Sequence, residues 1–408
     1  MSEEYLPLLS KVSGDMSKRK LFTCIILTAL VSSMITIFGI CFLLDINFGR
    51  ATNLARLFCA MNFIEDHYVN SVDYTKMIDG AIGGMVHSLG DPHSIYLDQR
   101  LYSQIKSDTS GSFGGIGVYM GFKNNGVQII SVMPDSPGEK VGLQTGDEII
   151  AVDGTPVNEI AADEVALKIR GESGTNVDLL IRREGQEDKI YTVTRDIIKV
   201  KTVADKMLND KIGYIRISAF SENTGEEFKT AMKNLETHNM KGFVLDLRQN
   251  PGGVITSCVE IAKEIVPKGP IVSVVQRDGS KEVYTSDLEQ TKYPIVVLLD
   301  GNSASASELL AGALQDTKAA KIVGTKSYGK GSVQTVMPMF HEDGLKLTIA
   351  KYYTPNNRSI DGVGIEPDIV VEATKPLQRA LNIETENTNI TEDAQLNKAV
   401  EVLIGEIE

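Results

Sequence analysis

Strands and helices alternate along residues 199–373, and this alternation most limits the folds open to the chain. Three apolar, strand-like runs, KIGYIRISAF, KGFVLDLRQN and YPIVVLLDG, are each followed by a helix-like run. Strands joined by helices form largely parallel sheets, whose strands are buried on both faces and appear as continuous apolar runs. The pattern therefore predicts an α/β domain. Two further strand-like runs, GSVQTVMPM and LKLTIAKYYT, follow it.

Residues 112–198 form a second, β-rich module. Short strand-like runs such as GVQIISVMP and DEIIAVDG are bounded by glycines, a pattern that predicts strands. Between them, DSPGEKVGLQTGD and ADEVALKIRG predict two short helices. This module is therefore predicted to be a small α+β domain, inserted ahead of the α/β domain.

The same module contains the elements of a peptide-binding groove. A loop with Gly114, Gly115 and Gly117 can point consecutive backbone amides at one carboxylate. The strand that follows offers an edge to which an extended peptide could pair. The other candidate peptide-binding residues are Ile116, Val118, Val165, Ile169 and Arg170. The alternatives are that the glycines only form a tight turn and that Arg170 is a solvated surface residue.

Residues 21–44, LFTCIILTALVSSMITIFGICFLL, are 24 consecutive uncharged residues. As a helix they would span about 36 Å, enough to cross the ~30 Å hydrocarbon layer of a membrane. Lys18, Arg19 and Lys20 precede them, which by the positive-inside rule places residues 1–20 in the cytoplasm. The sequence therefore predicts an uncleaved transmembrane anchor. A cleaved signal peptide and a buried helix are the alternatives.

Residues 45–111 repeat apolar side chains at three- and four-residue steps, which predicts helices up to a turn at Gly90–Leu97, GDPHSIYL. His93 in that turn could be a base, or a turn residue that caps a helix. Residues 374–408 are predicted to be a polar linker followed by a short helix. The helices of 45–111 and this last helix could form a homodimer, and a solvated terminal helix is the alternative.

The charge and cysteine content exclude several classes of function. A formal net charge of −13 argues against nucleic-acid binding, which requires a basic surface. The four cysteines, Cys24, Cys41, Cys59 and Cys258, have a spacing that suits neither a zinc site nor a redox pair. We therefore expect no nucleic-acid partner, no metal and no cofactor.

The segment NSASASELL places Ser305 three residues before Glu308 at the start of a predicted helix. This spacing matches a capping box, in which each side chain hydrogen-bonds the backbone N–H of the other residue. One serine would suffice for a cap, however, and the alternating alanines leave the narrow, uncrowded approach that an exposed nucleophile needs. A helix cap and a nucleophile are both compatible with this segment.

Lys330 lies between two glycines in SYGKGSVQ, 25 residues after Ser305. That interval contains a helix, a strand and a turn, which can bring the chain back beside its start. A lysine can activate a serine if burial lowers its pKa from about 10.4 to roughly 7–8. Gln334 could accept a hydrogen bond from this amine and orient it. A solvated lysine is the alternative; a phosphate loop is excluded because Gly331 replaces the magnesium-binding Ser or Thr.

The segment DLRQNPGGV follows the second strand of the α/β domain and contains Gly252 and Gly253. Glycines let a backbone approach a ligand closely and aim its N–H groups at it. Together with the N–H of Ala306, these groups could form an oxyanion hole, whose donors are typically worth about 3–4 kcal/mol each in acyl transfer.

Several of these motifs resemble known families. The β-rich module resembles a PDZ domain in GGIGV (Gly114–Val118) and GLQTGDEIIAVDG (Gly142–Gly154). Residues 55–372 resemble the carboxyl-terminal processing peptidases, or tail-specific serine proteases. The resemblance implies a crotonase-like or ClpP-like α/β protease core with an inserted PDZ domain. Its motifs are LGDPHSIYL, DLRQNPGG, NSASASELLAGALQD, GTKSYGKGSVQ and LKLTIAKYYTPNNRSIDGVGIEPD, in that order.

The resemblance also implies a role for each candidate residue. Ser305 would be the nucleophile, Lys330 the general base and Gln334 its orienting partner. Ala306 and either Gly252 or Gly253 would supply the oxyanion hole. The PDZ domain would bind the free, apolar C-terminal tail of a protein substrate, and this binding would restore the catalytic arrangement.

The sequence thus predicts a serine endopeptidase at the cell membrane, with a cytoplasmic N-terminus and an extracytoplasmic catalytic portion. A non-catalytic PDZ scaffold on a degenerate protease fold is the alternative, although all three proposed catalytic residues are present. A hydrolase of small esters is a weaker alternative, because it would have no use for a PDZ domain.

Overall fold

The computed structural model describes residues 18–43, 48–123, 126–373 and 393–407. The chain divides into two compact units, Met1–Ile82 and Gly83–Glu408. All residues predicted to take part in binding or catalysis belong to the second unit.

Helices predominate at the start of the chain, as the sequence predicts. They are α1 (Lys18–Leu43), α2 (Phe48–His67) and α3 (Tyr74–His87). The sequence also predicts a transmembrane anchor over residues 21–44, of which residue 44 lies outside the described residues. In the described part of the chain, no helix combines enough length with enough hydrophobicity to cross a bilayer. The structure therefore does not support this anchor.

The β-rich module follows strand β1 (Ile95–Leu97) and helix α4 (Gln99–Ser110). Its elements are β2 (Ser112–Gly115), β3 (Val118–Lys123), β4 (Gly126–Val132), α5 (Pro137–Lys140), β5 (Glu148–Val152), β6 (Thr155–Pro156), α6 (Ala162–Ile169), β7 (Asn176–Arg182), β8 (Lys189–Thr194) and β9 (Asp196–Lys199).

One sheet of this module has the strand order β3-β4-β5-β7-β8, with β6 paired to β5, and a second consists of β2 and β9. Strand β3 lies at the edge of its sheet. Alternate residues along the strands are buried, including Ile129, Ile149 and Leu179, because successive side chains of a strand point to opposite faces. The predicted β-rich domain is confirmed.

The remaining elements form the α/β domain. They are β10 (Val203–Met207), β11 (Ile212–Ile217), α7 (Thr224–Thr237), β12 (Gly242–Asp246), α8 (Ile255–Ile265), β13 (Gly269–Gln276), β14 (Lys281–Ser286), β15 (Ile295–Leu299), α9 (Ala306–Asp316), β16 (Ala320–Gly324), β17 (Ser332–Pro338), β18 (Gly344–Tyr353), β19 (Ile369–Val370) and α10 (Ala394–Ile407).

The central sheet has the order β10-β11-β12-β15-β16-β19 and is parallel from β11 onward. Every residue of β11, β12 and β15 is buried. Helices α7, α8 and α9 cover one face, and α10 covers the other. The predicted parallel, doubly covered strands are confirmed, and the carboxyl ends of these strands lie at one edge of the sheet.

A second sheet of the α/β domain has the order β1-β18-β13-β14, and β17 also pairs with β18. Strand β1 comes from the GDPHSIYL segment and pairs antiparallel with β18, so that Ile95 lies opposite Lys346. This pairing brings the turn at Gly90–Leu97 next to the hairpin that follows Lys330. The sequence does not reveal this proximity, because about 250 residues separate the two strands.

The last helix packs on its own sheet instead of extending into solvent. Leu396, Ala399 and Leu403 of α10 are completely buried. At its start, the buried guanidinium of Arg248 contacts Asp246 at 2.6 Å and Asp393 at 2.8 Å. These ion pairs connect the C-terminal segment to the end of β12. The alternative of a solvated terminal helix is therefore wrong, and the predicted homodimer remains a prediction.

Candidate active site

Ser305 occupies the turn between strand β15 and helix α9. It is 9% exposed, and its backbone has φ 55° and ψ −116°. This conformation is strained for a residue other than glycine and costs on the order of 1–3 kcal/mol. A sharp strand-turn-helix connection of this kind presents a side chain at the end of a sheet, the arrangement that serine nucleophiles use in some hydrolases.

The three serines of NSASASELL differ in their hydrogen bonds. The Ser303 hydroxyl donates to the Leu247 carbonyl at 2.9 Å, and the Ser307 hydroxyl donates to the Asn250 carbonyl at 3.0 Å. Within the described ranges, the Ser305 hydroxyl donates to no acceptor. Its proton is therefore available to a base, whereas those of Ser303 and Ser307 hold the neighbouring segment in place.

Glu308 joins the two segments that carry the predicted nucleophile and base. Its side chain is completely buried. One oxygen, Oε2, accepts hydrogen bonds from the backbone N–H groups of Ser305 and Lys330, both at 2.8 Å. The other oxygen, Oε1, accepts from the Gly329 N–H at 2.7 Å and the Ser327 hydroxyl at 2.5 Å. The backbone nitrogens of Ser305 and Lys330 therefore lie no more than twice 2.8 Å apart.

The sequence predicts only a capping role for Glu308, whereas in the structure its carboxylate also accepts hydrogen bonds from the segment of Lys330. A carboxylate has room for about four accepted hydrogen bonds, and Glu308 uses this capacity across two separate segments. The capping pattern is the only signal in the sequence for this residue. Because this buried carboxylate accepts from both segments, it fixes the distance between them. A lysine in a flexible loop would have no fixed distance to Ser305.

The amine of Lys330 is partly buried, and its pKa is lowered from its ordinary value. Burial contributes most, and the positive charge of Lys346 lowers the pKa further, whereas the carboxylates of Asp91 and Glu308 raise it. Burial disfavours the charged form of an amine. The direction of the shift is the one that a lysine needs if it is to act as a base near neutral pH.

Gln334 lies on β17, directly opposite Thr348 of β18. Its amide nitrogen donates to the Ser332 hydroxyl at 2.8 Å and to the Thr348 hydroxyl at 3.2 Å. The amide nitrogen therefore faces the two hydroxyls, which leaves the amide oxygen free to accept a hydrogen bond on its other side.

The NPGG turn packs directly against Ser305. Gly252 has φ 94°, and a Cβ atom there would lie 2.8 Å from the Ser305 Cβ and 2.9 Å from the Ala306 nitrogen. Gly253 has φ 142°, and a Cβ atom there would lie 1.9 Å from the Phe220 carbonyl oxygen. Only glycine fits at either position, which explains why this turn contains two.

The two glycine amides point in different directions. The Gly252 N–H donates to the Asn250 side chain at 2.8 Å. The two residues next to Gly253 hydrogen-bond Phe220. The Phe220 N–H donates to the Gly252 carbonyl, and the Val254 N–H donates to the Phe220 carbonyl. The Gly253 N–H therefore points away from Phe220, and it has no acceptor within the described part of the chain. The Ala306 N–H belongs to the first residue of α9, a position whose N–H has no partner inside a helix.

The predicted peptide-binding residues lie together in the β-rich module. Gly114 and Gly115 are in β2, and Val118 begins the edge strand β3. Between them, Ile116 is 2% exposed and Gly117 has φ 73°. Gly114 and Gly115 pair with β9, so only Ile116 and Gly117 of the predicted glycine loop lie outside a strand. This segment directly precedes the open edge of β3, to which an extended peptide could pair.

The helix residues of this predicted groove are more buried than a free pocket wall would be. Val165 and Ile169 belong to the apolar core of the module, against which Val118 packs. The Arg170 guanidinium lies 4.4 Å from the centre of the Phe113 ring, within the range of a cation–π contact. Arg170 therefore has a specific partner next to the glycine loop.

Across the described ranges, no cluster of three or more His, Cys, Asp or Glu side chains could hold a metal.

Comparisons with known proteins match all three regions of the chain. The family model for peptidase family S41 matches residues 211–371, and the PDZ domain model matches residues 103–182. A third model, described as the activating protease CtpB N-terminal domain, matches residues 45–101.

Two curated relatives cover most of the chain. A carboxy-terminal-processing protease of Bartonella bacilliformis is 41% identical over 332 residues, which are 79% of this chain and 76% of that protein. The carboxy-terminal processing protease CtpB of Bacillus subtilis is 40% identical over 319 residues, 77% of this chain and 66% of that protein. A solved photosystem II D1 C-terminal processing protease is 27% identical, with a TM-score of 0.47, and covers 78% of this chain and 92% of that one.

Proposed function

The chain belongs to peptidase family S41, and we propose that it cleaves protein substrates with a catalytic dyad of Ser305 and Lys330. It is a serine-type peptidase with a PDZ domain, like the carboxy-terminal processing proteases to which it is similar. One observation carries the proposal of the dyad: a single oxygen of Glu308 accepts hydrogen bonds from the backbone of both residues.

In the proposed reaction, neutral Lys330 accepts the proton of the Ser305 hydroxyl while Ser305 Oγ attacks the carbonyl carbon of the scissile bond. The protonated lysine then gives this proton to the leaving amine, and an acyl-enzyme remains. Water hydrolyses the acyl-enzyme in a second, equivalent step in which Lys330 is again the base. Gln334 orients the amine of Lys330 through its amide oxygen.

For the oxyanion hole we favour the N–H groups of Gly253 and Ala306. The Gly252 N–H is already hydrogen-bonded to Asn250, so it is a poor donor for a substrate. Gly253 points its N–H away from Phe220, and Ala306 directly follows the nucleophile. Two backbone donors next to the reacting oxygen are the usual means of stabilising a tetrahedral intermediate.

The PDZ domain is proposed to bind the free C-terminal tail of a substrate protein. The tail would pair with the edge of β3, and its carboxylate would meet the amides of the glycine loop at Gly114–Gly117. Arg170, which contacts Phe113 beside this loop, would respond to tail binding. Val165 and Ile169 would border the site for the last apolar side chain.

The test of this function compares two peptides with the same apolar C-terminal sequence, one with a free carboxylate and one amidated. The proposed protease cleaves the free peptide faster, because only that peptide presents a charge to the glycine loop. A non-catalytic scaffold cleaves neither peptide, and a hydrolase of small esters does not distinguish between them. Either result would overturn the proposal.

The location of the protein is proposed from the sequence alone. The uncharged residues 21–44 and the preceding Lys18, Arg19 and Lys20 support an anchor with its N-terminus in the cytoplasm and its catalytic portion outside. Protease added to intact cells should therefore degrade residues 83–408. If this region stays intact until the cells are broken open, it lies in the cytoplasm and the proposed location is wrong.

Replacing Lys346 by Gln should raise the pKa of Lys330 and shift activity to higher pH. Lys346 lowers the Lys330 pKa by charge repulsion, against the opposing effects of Asp91 and Glu308. Activity requires the neutral amine, so it appears as the pH rises through the Lys330 pKa. Without Lys346, the acidic limb of the kcat/KM profile moves up in pH. An unchanged limb would show that Lys330 is not the group that titrates.

Replacing Glu308 by Gln should reduce kcat strongly and destabilise the fold. A carboxamide has a single acceptor oxygen and an NH2 group that faces the donors now bound to Glu308. Each buried donor left unsatisfied costs about 1–3 kcal/mol. Urea denaturation and kcat measurements test this, with Glu366→Gln on the surface as the matched control. A Glu308→Gln protein with normal kcat would show that this carboxylate does not set the active-site geometry.

A further inference from the structure

The turn in GDPHSIYL lies against the strand that faces Gln334. The Ser94 hydroxyl donates to the Asp91 carboxylate at 2.6 Å, and the His93 N–H donates to the same side chain at 3.0 Å. The Ser94 oxygen in turn accepts from the backbone N–H of Thr348 at 3.0 Å. His93 therefore contributes its backbone to this turn, and Asp91 is the residue that reaches toward β18.

Thr348 connects this turn to Gln334. The Thr348 hydroxyl oxygen accepts from the Gln334 amide nitrogen at 3.2 Å, and the Thr348 backbone N–H donates to the Ser94 hydroxyl, which itself donates to Asp91. An irregularity in the β17–β18 pairing makes this possible, since Val333 lies opposite Ala350 but Gln334 lies opposite Thr348. The bulge skips Ile349, so that Gln334 and Thr348 face each other.

The hydrogen bonds of this chain have a defined direction. An ionised carboxylate can only accept, so the Ser94 hydroxyl donates to Asp91, and the Ser94 oxygen accepts from the Thr348 N–H. The Thr348 hydroxyl oxygen accepts from Gln334, so the nitrogen side of the amide faces Thr348. Hydrogen bonding, to which Ser94 contributes most, lowers the pKa of Asp91 to about 2, so Asp91 is ionised throughout the neutral range and the direction does not reverse.

We propose that Asp91, acting through Ser94 and Thr348, fixes the orientation of the Gln334 amide so that its oxygen faces the amine of Lys330. Asp91 and Thr348 are thus positioning residues, and they act on the base through Gln334. This inference rests on the proposed function, in which Lys330 is the base. The negative charge of Asp91 also raises the pKa of Lys330, against the lowering effect of burial.

A pair of substitutions at Thr348 tests the chain. Thr348→Val keeps the shape and removes the hydroxyl, and it should lower kcat about tenfold to a hundredfold, the effect of leaving one N–H of the Gln334 amide without its acceptor. KM should change less than about twofold, because no substrate contact is lost. Thr348→Ser restores the hydroxyl and should recover most of the activity. Thr285→Val, exposed on β14, is the matched control and should leave kcat unchanged.

Double substitutions show whether Thr348 acts through Gln334. Residues that act in one chain have non-additive effects. At a pH above the Lys330 pKa, where the charge of Asp91 no longer changes the fraction of neutral amine, Thr348→Val and Asp91→Asn should therefore each lower kcat in the wild-type protein but cause no further loss in a Gln334→Ala background. Equal losses in both backgrounds, or a Thr348→Ser protein as slow as Thr348→Val, would overturn the inference.

The wild-type and Ser305→Ala proteins are assayed in parallel, so that two failures can be told apart. If Ser305→Ala still cleaves peptide, the proposed function is wrong. If Ser305→Ala is inactive and Thr348→Val is fully active, the proposed function stands and the role of the Asp91–Thr348 chain is rejected. Thermal unfolding of each variant is measured alongside the assays. If Thr285→Val lowers kcat as much as Thr348→Val does, the role of the Asp91–Thr348 chain is also rejected.

Discussion

Ser305→Ala is expected to abolish peptide cleavage while leaving the fold intact. The substitution removes only the hydroxyl, whose proton is not committed to another acceptor in the described structure, and it keeps the capping hydrogen bond from the backbone N–H to Glu308. Loss of a serine nucleophile typically lowers kcat about 10⁴- to 10⁶-fold. Steady-state cleavage of a free-tailed peptide and a thermal unfolding curve measure both parts of this expectation.

Ser307→Ala is the matched control for the choice of serine. It removes a hydroxyl two residues away, which donates to the Asn250 carbonyl, and should cost roughly 1 kcal/mol of stability. Cleavage should stay within about tenfold of the wild type, because Ser307 does not react. The opposite result, with Ser307→Ala inactive and Ser305→Ala active, would show that the nucleophile has been assigned to the wrong serine.

Lys330→Ala should lower kcat by a similar order of magnitude, about 10⁴-fold or more, because the general base is lost. Lys330→Arg should be equally inactive, although it keeps a long basic side chain. A guanidinium has a pKa above about 12 and does not become neutral in a protein, so it cannot accept the serine proton. Both variants should remain folded, since the backbone N–H at this position still donates to Glu308.

Added small primary amines separate a lost base from a distorted site. In Lys330→Ala, a free amine can enter the vacated space and accept the proton, so kcat should rise with amine concentration and with pH. Ser305→Ala should show no such recovery, because it lacks the nucleophile. Activity of Lys330→Arg equal to that of the wild type would reject the dyad, whatever the behaviour of the alanine variant.

The sequence predicts the layout of the α/β domain because burial leaves a local signature. Strands β11, β12 and β15 are buried along their whole length, and each is a continuous apolar run between turn residues in the sequence. The β-rich module is likewise recognisable from glycine-bounded strands. The described helices do not support the transmembrane prediction over 21–44.

The contacts of Glu308, Thr348 and Asp91 were not predictable in this way. Glu308 is a capping residue by its spacing from Ser305, and nothing local indicates that it also accepts from Lys330. The register of Gln334 against Thr348 depends on a bulge, and a shift of one residue would place the two side chains on opposite faces. Asp91 reaches this cluster only because β1 pairs with β18.

The amino-acid sequence by itself therefore determined which residue types are present and which elements carry them. These are a serine at a helix start, a lysine between glycines, and two glycines after a buried strand. These are local properties, since propensity, turn chemistry and hydrophobic period act over a few residues. Tertiary structure decided which serine hydroxyl donates to no acceptor in the described structure and which glycine N–H has none there. It also decided that Glu308 accepts hydrogen bonds from the backbone of both Ser305 and Lys330. Hydrogen bonds have a short range and a direction, so they depend on atoms that only folding brings together.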